Sequence, residues 1–184
     1  MDFNQAVPCA RVIDMHIAAC GELFAAYGLA RHMHPEPQAS PAAGSTTYAS
    51  VLGASGDGIR LSSTLSLDRE LLVRTHPSGA SDVAERDVED WCRELNNQLV
   101  GRLKNKMLRA GCAVTTGLPV LMRGSSIEAV TSEDQSYRQY FFSSKYGCLA
   151  FTLAMLLAPD LELAAPGSAA DAGEVKLEGA MALF

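Results

Sequence analysis

The chain has 184 residues, 48% hydrophobic, 20% charged and 7% aromatic. Those proportions exclude a disordered, collagenous or disulfide-scaffold protein and predict one folded domain. Lys and Arg number 15 against 21 Asp and Glu, for a formal net charge of -6 and a pI near 5.2, so no basic footprint points to nucleic acid or to an anionic membrane.

Between Ala10 and Leu29, the residues Val12, Ile13, Ile17, Cys20, Leu23, Phe24 and Tyr27 recur at three- and four-residue intervals and predict an amphipathic helix that Gly28 can stop. From 32 to 47, Pro35, Pro37, Pro41 and Gly44 sustain neither regular period, and an extended linker is expected. Tyr48 to Ala54 and Ile59 to Leu67 flank Gly56-Asp57-Gly58 and read as a β-hairpin, with Ile59, Leu61, Ser63, Leu65 and Leu67 alternating onto one face. His76 to Ser81 is a loop. Asp82 with Glu85 three residues later reads as an N-cap and its reciprocal partner, opening a helix that runs to Arg109 before Gly111 ends it. Cys112 to Met122, Ser126 to Thr131, Tyr137 to Ser143 and Gly147 to Leu157 are apolar or alternating runs that predict strands. This order lacks the regular strand-helix repeat of a doubly wound fold. It predicts an α+β fold in which a mixed or antiparallel sheet packs against the N-terminal helix and the long helix. The domain is expected over 1–158, with the linker inside it, and the Ala/Gly-rich stretch 159–184 as a mobile or loosely docked tail.

The five cysteines, Cys9, Cys20, Cys92, Cys112 and Cys148, are odd in number and contain no Cys-x-x-Cys pair, which argues against a disulfide framework and a zinc site and fits a reducing cytosol. The N-terminus Met1-Asp2-Phe3-Asn4 has no secretory pattern, and the apolar stretch from Tyr146 to Ala158 is shorter than the roughly 20 residues a bilayer demands. A cytoplasmic location is therefore expected.

The long helix divides cleanly. Val88, Trp91, Cys92, Leu95, Leu99 and Leu103 gather on one side, the predicted core face, and Asp90, Glu94, Asn97, Gly101 and Lys104 on the other. A polar stripe is ordinarily a solvated face. Two residues set this one apart. Gly101 costs about 1 kcal/mol relative to Ala in a helix interior, on a side where core packing cannot require a small residue, and Asn97 is a poor helix former that solvent alone does not favour over Gln or Glu.

Glu94-Leu95-Asn96-Asn97-Gln98-Leu99-Val100-Gly101, read as Glu-x-x-Asn-x-x-x-Gly with Asp90 upstream and Lys104 downstream, resembles the signature of the CheC/CheX/FliY family of chemotaxis phosphatases. The context is similar too: an N-terminal helix, a hairpin, the motif helix, then Leu118-Pro119 and Gly124, with the likeness covering roughly Met15 to Leu157. Family members with two active sites carry a second Glu-x-x-Asn on the first helix, where this chain reads Glu22-Leu23-Phe24-Ala25, so the resemblance is to a single-site, CheX-like protein. It implies hydrolysis of the aspartyl phosphate on a phosphorylated CheY-type response regulator in two-component signalling. Asn97 would position the attacking water and Glu94 would pair with a Lys of the partner, with Asp90 and Gly101 at the contact. The Mg²⁺ would sit in the partner, and this chain would need no metal or cofactor of its own. The resemblance also allows a homodimer through sheet edges or helices. The rival reading is a non-catalytic module that docks on a receiver domain or a flagellar switch.

Other candidates have simpler explanations. Gly53-x-x-Gly56-x-Gly58 lies between two strands, not between a strand and a helix, and so fails as a phosphate loop. His32 and His34 lack further ligands for a metal. His76, Ser78, Ser81 and Asp82 are too crowded in one loop for a nucleophilic triad. Trp91 is expected as a core anchor, and Asn96, on the flank of the core stripe, as a local hydrogen-bonding group.

Overall fold

The hairpin read between 47 and 68 is the centre of a larger sheet. In a computed structural model of the chain, which describes residues 3–29, 34–36, 46–125, 127 and 135–164, the elements run α1 (Phe3–Ala26), β1 (His34–Glu36), β2 (Thr47–Gly56), β3 (Ile59–Asp68), α2 (Arg69–Thr75), α3 (Glu85–Arg109), β4 (Val114–Thr116), β5 (Val120–Gly124), β6 (Ser136–Ser144) and β7 (Gly147–Leu157). The sheet has seven strands in the order β1-β6-β7-β3-β2-β4, with β5 also on β2. Every pairing is antiparallel, which settles the expected mixed or antiparallel sheet in favour of the second. Gly56 pairs with Ile59 across Asp57-Gly58, and Gly58 takes φ +68, a left-handed conformation that glycine adopts without strain.

Alternation puts Tyr48, Leu52, Ile59, Leu61, Leu65 and Leu67 on the face that also carries Leu149, Phe151, Leu153 and Met155, and α1 and α3 bury that face. The predicted core stripe of α3 is buried throughout, and Asn96, Val100 and Met107 join it. The end of α3 is a Schellman cap. Cys112 N–H donates to Met107 O at 2.9 Å and Gly111 N–H to Leu108 O at 3.0 Å, with Gly111 at φ +82.

Several boundaries differ from the sequence reading. The first helix starts at Phe3, with Pro8 inside it. The strand expected over 112–122 divides into β4 and β5 around Gly117-Leu118-Pro119, because Pro119 lacks the N–H a continuous strand would use. Within the expected linker, His34–Glu36 pairs with Phe141–Ser143 as β1. The strand expected over 126–131 lies outside the described residues except for Ile127. The seven-residue α2 was too short to show a helical period, yet it buries Leu71 and Leu72. Beyond β7, Leu161 and Leu163 pack on the core, Ala164 N–H donates to Ala110 O at 2.8 Å, and Arg11 donates to the carbonyls of Leu163 and Ala164.

Asp82 does not cap α3, which begins at Glu85 behind Ala84 with no side-chain cap. The Glu85 carboxylate turns to the sheet instead of reaching back. It accepts from the Tyr48 hydroxyl, from Arg123 Nη1 at 2.7 Å and from Arg69 Nε at 3.4 Å. The Tyr48 hydrogen bond and the two guanidinium groups hold this carboxyl below the usual carboxylate range.

One polar chain crosses the core. His16, fully buried on α1, places Nε2 3.3 Å from Ser63 Oγ, which donates to Asn96 Oδ1 at 3.4 Å. Since the Ser63 proton points to Asn96, this arrangement assigns the His16 proton to Nε2 and leaves Nδ1 facing Cys20 Sγ at 4.0 Å. The rings of Tyr140 and Phe151 close the site at 6.3 and 6.1 Å. Burial pushes His16 down to about 4. The unfolded chain, with a histidine of ordinary pKa near 6.5, takes up the proton first. The stability contributed by neutral His16 is therefore complete above pH 6.5 and lost as the pH falls toward 4. Chemical denaturation at pH 7.5 and pH 4.5 should show a loss of about 2–3 kcal/mol in wild type that is largely missing from the pH slope of His16→Gln. Parallel slopes for the two proteins would rule out this histidine as the source.

Candidate functional site

The site is built on α3, whose rotation about its own axis is set by Asn96. Asn96 is fully buried. Its Nδ2 donates to Ser50 O at 2.7 Å and to Ser63 O at 3.2 Å, joining the helix to the two central strands at once. Asn97 follows about 100° around the helix and is exposed, and among the described residues its carboxamide has no partner. The expected local role of Asn96 thus becomes a long-range one, spanning 46 residues to Ser50.

Glu94 lies one turn before Asn97 and is half-buried. Its Oε1 accepts from Gln98 Nε2 at 3.1 Å, and Gln98 Oε1 accepts from the Tyr27 hydroxyl at 2.8 Å. Glu94 stands apart from most other carboxylates of the helix. Glu85 is matched by Arg69 and Arg123, Glu89 by Arg123 at 3.3 Å, and Asp90 by Arg93 at 2.6 Å and Arg86 at 4.0 Å. Among the described residues Glu94 has a neutral partner and no cation, so its charge is available to a cation from outside. Asp90, by contrast, is exposed but already neutralised by its own helix.

Gly101 completes the face two turns beyond Glu94. A Cβ built there meets nothing within 4 Å, so this fold does not itself require a small residue at that position. On α1, Glu22 pairs with Lys106 of α3, and Ala25 stands where a second carboxamide would be needed. Among the described residues the α3 face is therefore an open surface presenting an oriented carboxylate, an unpartnered carboxamide and a bare stretch of backbone. Such a surface suits a macromolecular partner more than a small substrate.

The remaining candidates separate. His76 Nδ1 and Ser78 Oγ meet at 2.8 Å in an exposed loop, but no carboxylate among the described residues orients the ring, which lies edge-on to Trp91 at 5.7 Å. Trp91 is buried and donates to Thr75 Oγ1 at 2.9 Å. Among the described residues the cysteines form no disulfide, and no three His, Cys, Asp or Glu converge as metal ligands. The side chains of His32 and His34 lie outside the described residues. No helix among those described is long and apolar enough to cross a membrane. Sequence reasoning missed Tyr27 and Gln98. The four-residue spacing of Glu94 and Gln98 was visible, whereas the Tyr27 contact spans 71 residues.

This arrangement of sheet and flanking helices is found in known structures. The chain superposes on the chemotaxis protein CheX from Vibrio vulnificus with a TM-score of 0.63, at 17% identity, over 79% of this chain and 99% of that one. A CheC-like superfamily protein from Shewanella sp. PV-4 gives 0.62 at 15% identity, over 84% and 99%. The CheX of a CheX-CheY-BeF3-Mg complex from Borrelia burgdorferi gives 0.57 at 12% identity, over 79% and 97%. The fold is that of the CheX and CheC-like chemotaxis proteins. No protein-family profile and no curated protein matches the sequence.

The two neighbouring asparagines should part in stability. Asn96→Ala leaves Ser50 O and Ser63 Oγ without their partner and should cost about 2–3 kcal/mol. Asn97→Ala should stay within about 0.5 kcal/mol, and Gly101→Ala, free of any clash, should stabilise by about 0.5–1 kcal/mol. Urea unfolding of the three variants measures all of this, and a destabilised Gly101→Ala would show that the open space around that residue is filled.

Proposed function

We propose that the chain is a CheX-like phosphatase that hydrolyses the aspartyl phosphate of a phosphorylated CheY-type response regulator in the cytoplasm. The observation that carries this reading is the pairing, one turn apart on the outward face of α3, of a carboxylate without a cation and a carboxamide without a partner among the described residues. The CheX-CheY complex among the fold neighbours supports the choice of partner class.

The chemistry follows from the side chains. An aspartyl phosphate is an activated acyl phosphate, so a catalyst gains most by holding a water in line with the leaving oxygen. The Asn97 carboxamide can donate to and accept from that water without adding negative charge beside the phosphoryl oxygens, as a carboxylate would. Glu94, oriented by Gln98, would pair with a cation on the receiver and set the angle of the docked helix. Gly101 would let the receiver approach the helix backbone. Asp90 would lie at the rim, where its pairing with Arg93 limits what it adds. The Mg²⁺ that neutralises the acyl phosphate would belong to the receiver.

Purified protein added to phosphorylated CheY-like receivers, with the Mg²⁺ they need, should accelerate phosphate release from at least one of them. Asn97→Ala should lower that rate on the order of a hundredfold, a loss that persists at saturating receiver. Glu94→Ala should show a defect that high receiver concentration partly recovers. Asn97→Ala as active as wild type would remove catalysis and leave a docking module. Gly101→Ala, expected to be more stable, should nonetheless be less active.

A further inference from the structure

Tyr27 lies at the end of α1, outside the motif helix, yet its hydroxyl reaches Gln98 and through it Glu94. We propose that Tyr27 is a positioning residue that acts through Gln98 to hold the Glu94 carboxylate in the orientation that receives the receiver's cation, an inference that rests on the reading of the α3 face given above.

The relay is directional. The phenol of Tyr27 is a donor, 2.8 Å from Gln98 Oε1. The Glu94 carboxylate only accepts, and lies 3.1 Å from Gln98 Nε2. An amide between a donor and an acceptor has one orientation that satisfies both, and the flipped amide would set oxygen against the carboxylate and NH₂ against the phenol proton. Removing the Tyr27 hydroxyl leaves Gln98 held at one end only, by the carboxylate it would orient.

Each link is itself fixed. The Tyr27 ring stands edge-on against Trp91, with centroids 5.5 Å apart at 84°. Trp91 Nε1 donates to Thr75 Oγ1 at 2.9 Å, and Thr75 Oγ1 donates to Leu71 O at 2.9 Å. Just beyond Tyr27 the chain is turned by Gly28 at φ +68, with Leu29 N–H donating to Phe24 O at 2.9 Å. The half-buried carboxylate is thus reached through a half-buried tyrosine that rests on the buried Trp91. The neutrality of the middle link is what lets this work. A Lys or Arg at 98 would orient Glu94 equally well but would neutralise it, as Arg93 does Asp90, whereas Gln98 fixes direction and leaves the charge to be matched from outside.

The test measures binding of a Mg²⁺-loaded CheY-like receiver carrying beryllofluoride, together with steady-state dephosphorylation, for wild type, Tyr27→Phe, Gln98→Leu, Glu94→Ala and the double variant Tyr27→Phe/Glu94→Ala. Tyr27→Phe and Gln98→Leu should each weaken receiver binding on the order of five- to tenfold and raise KM in step, with kcat within about twofold. In the Glu94→Ala background Tyr27→Phe should change neither quantity, because the group it acts through is gone. A loss caused by Tyr27→Phe that is undiminished in the Glu94→Ala background, or unchanged binding by both single variants, would overturn the relay. Gln98→Leu carries the test if Tyr27→Phe does not fold. Wild type that binds no receiver would overturn the reading of the face and this inference together, whereas wild type that binds alongside unaffected variants would overturn the inference alone.

Discussion

Asn96 decides which way α3 faces. A helix lying on a sheet by apolar contacts alone can roll by a fraction of a turn with little change in buried area, because hydrophobic attraction has no direction. Hydrogen bonds do have direction. Asn96 Nδ2 meets carbonyls of β2 and β3, and its Oδ1 receives Ser63 Oγ. A roll of the helix would leave these groups buried without partners, which costs more than the bonds themselves contribute. Asn97 is thereby directed to solvent and Glu94 to the Tyr27 side. The neighbouring asparagines do opposite work because they stand on opposite sides of the helix boundary between core and water.

The charges of α3 are arranged along its length in the same spirit. At its first turn Glu85 is held by Tyr48, Arg69 and Arg123, groups from β2, α2 and β5, so the end of the helix is tied down from three sides. Toward its middle the carboxylate at Glu94 meets, among the described residues, only an amide. Fully paired charges give a rigid mount, and a surface ion pair adds little beyond that. An unmatched charge on a rigid mount can discriminate between partners, because its position is set before the partner arrives.

Much of this was legible in the sequence because periodicity reports burial. The α3 stripe, the hairpin around Asp57-Gly58 and the Gly111 terminus each depend on near neighbours, and each lies where the spacing put it. The outward face of α3 was legible for a related reason: helical spacing sets Asn97 and Gly101 away from the apolar stripe, and neither is among the buried residues of the helix. What escaped depended on distant residues. Asp82 and Glu85 have the spacing of a capping box, but Tyr48 and two arginines compete for the same carboxylate and win. Asn96 read as a local group because nothing in its neighbourhood announces Ser50 and Ser63. The seven residues of α2 are too few for a period.

The strand order carries a consequence for how the molecule is made. β7 lies between β6 and β3, and its eleven residues are almost the last of the described chain. Until 147–157 leaves the ribosome, β3 has an unpaired edge with Leu61, Leu65 and Leu67 lacking the opposing Leu149, Phe151, Leu153 and Met155. A hairpin of β2 and β3 alone is marginal in water, so the nascent chain holds an exposed, aggregation-prone edge from the synthesis of β3 until β7 emerges. The contacts of Arg11 with Leu163 and Ala164 join the start of the chain to a segment made after β7. The sheet therefore cannot close until 147–157 has been made, and a chain terminated before β7 lacks the strand that joins β6 to β3.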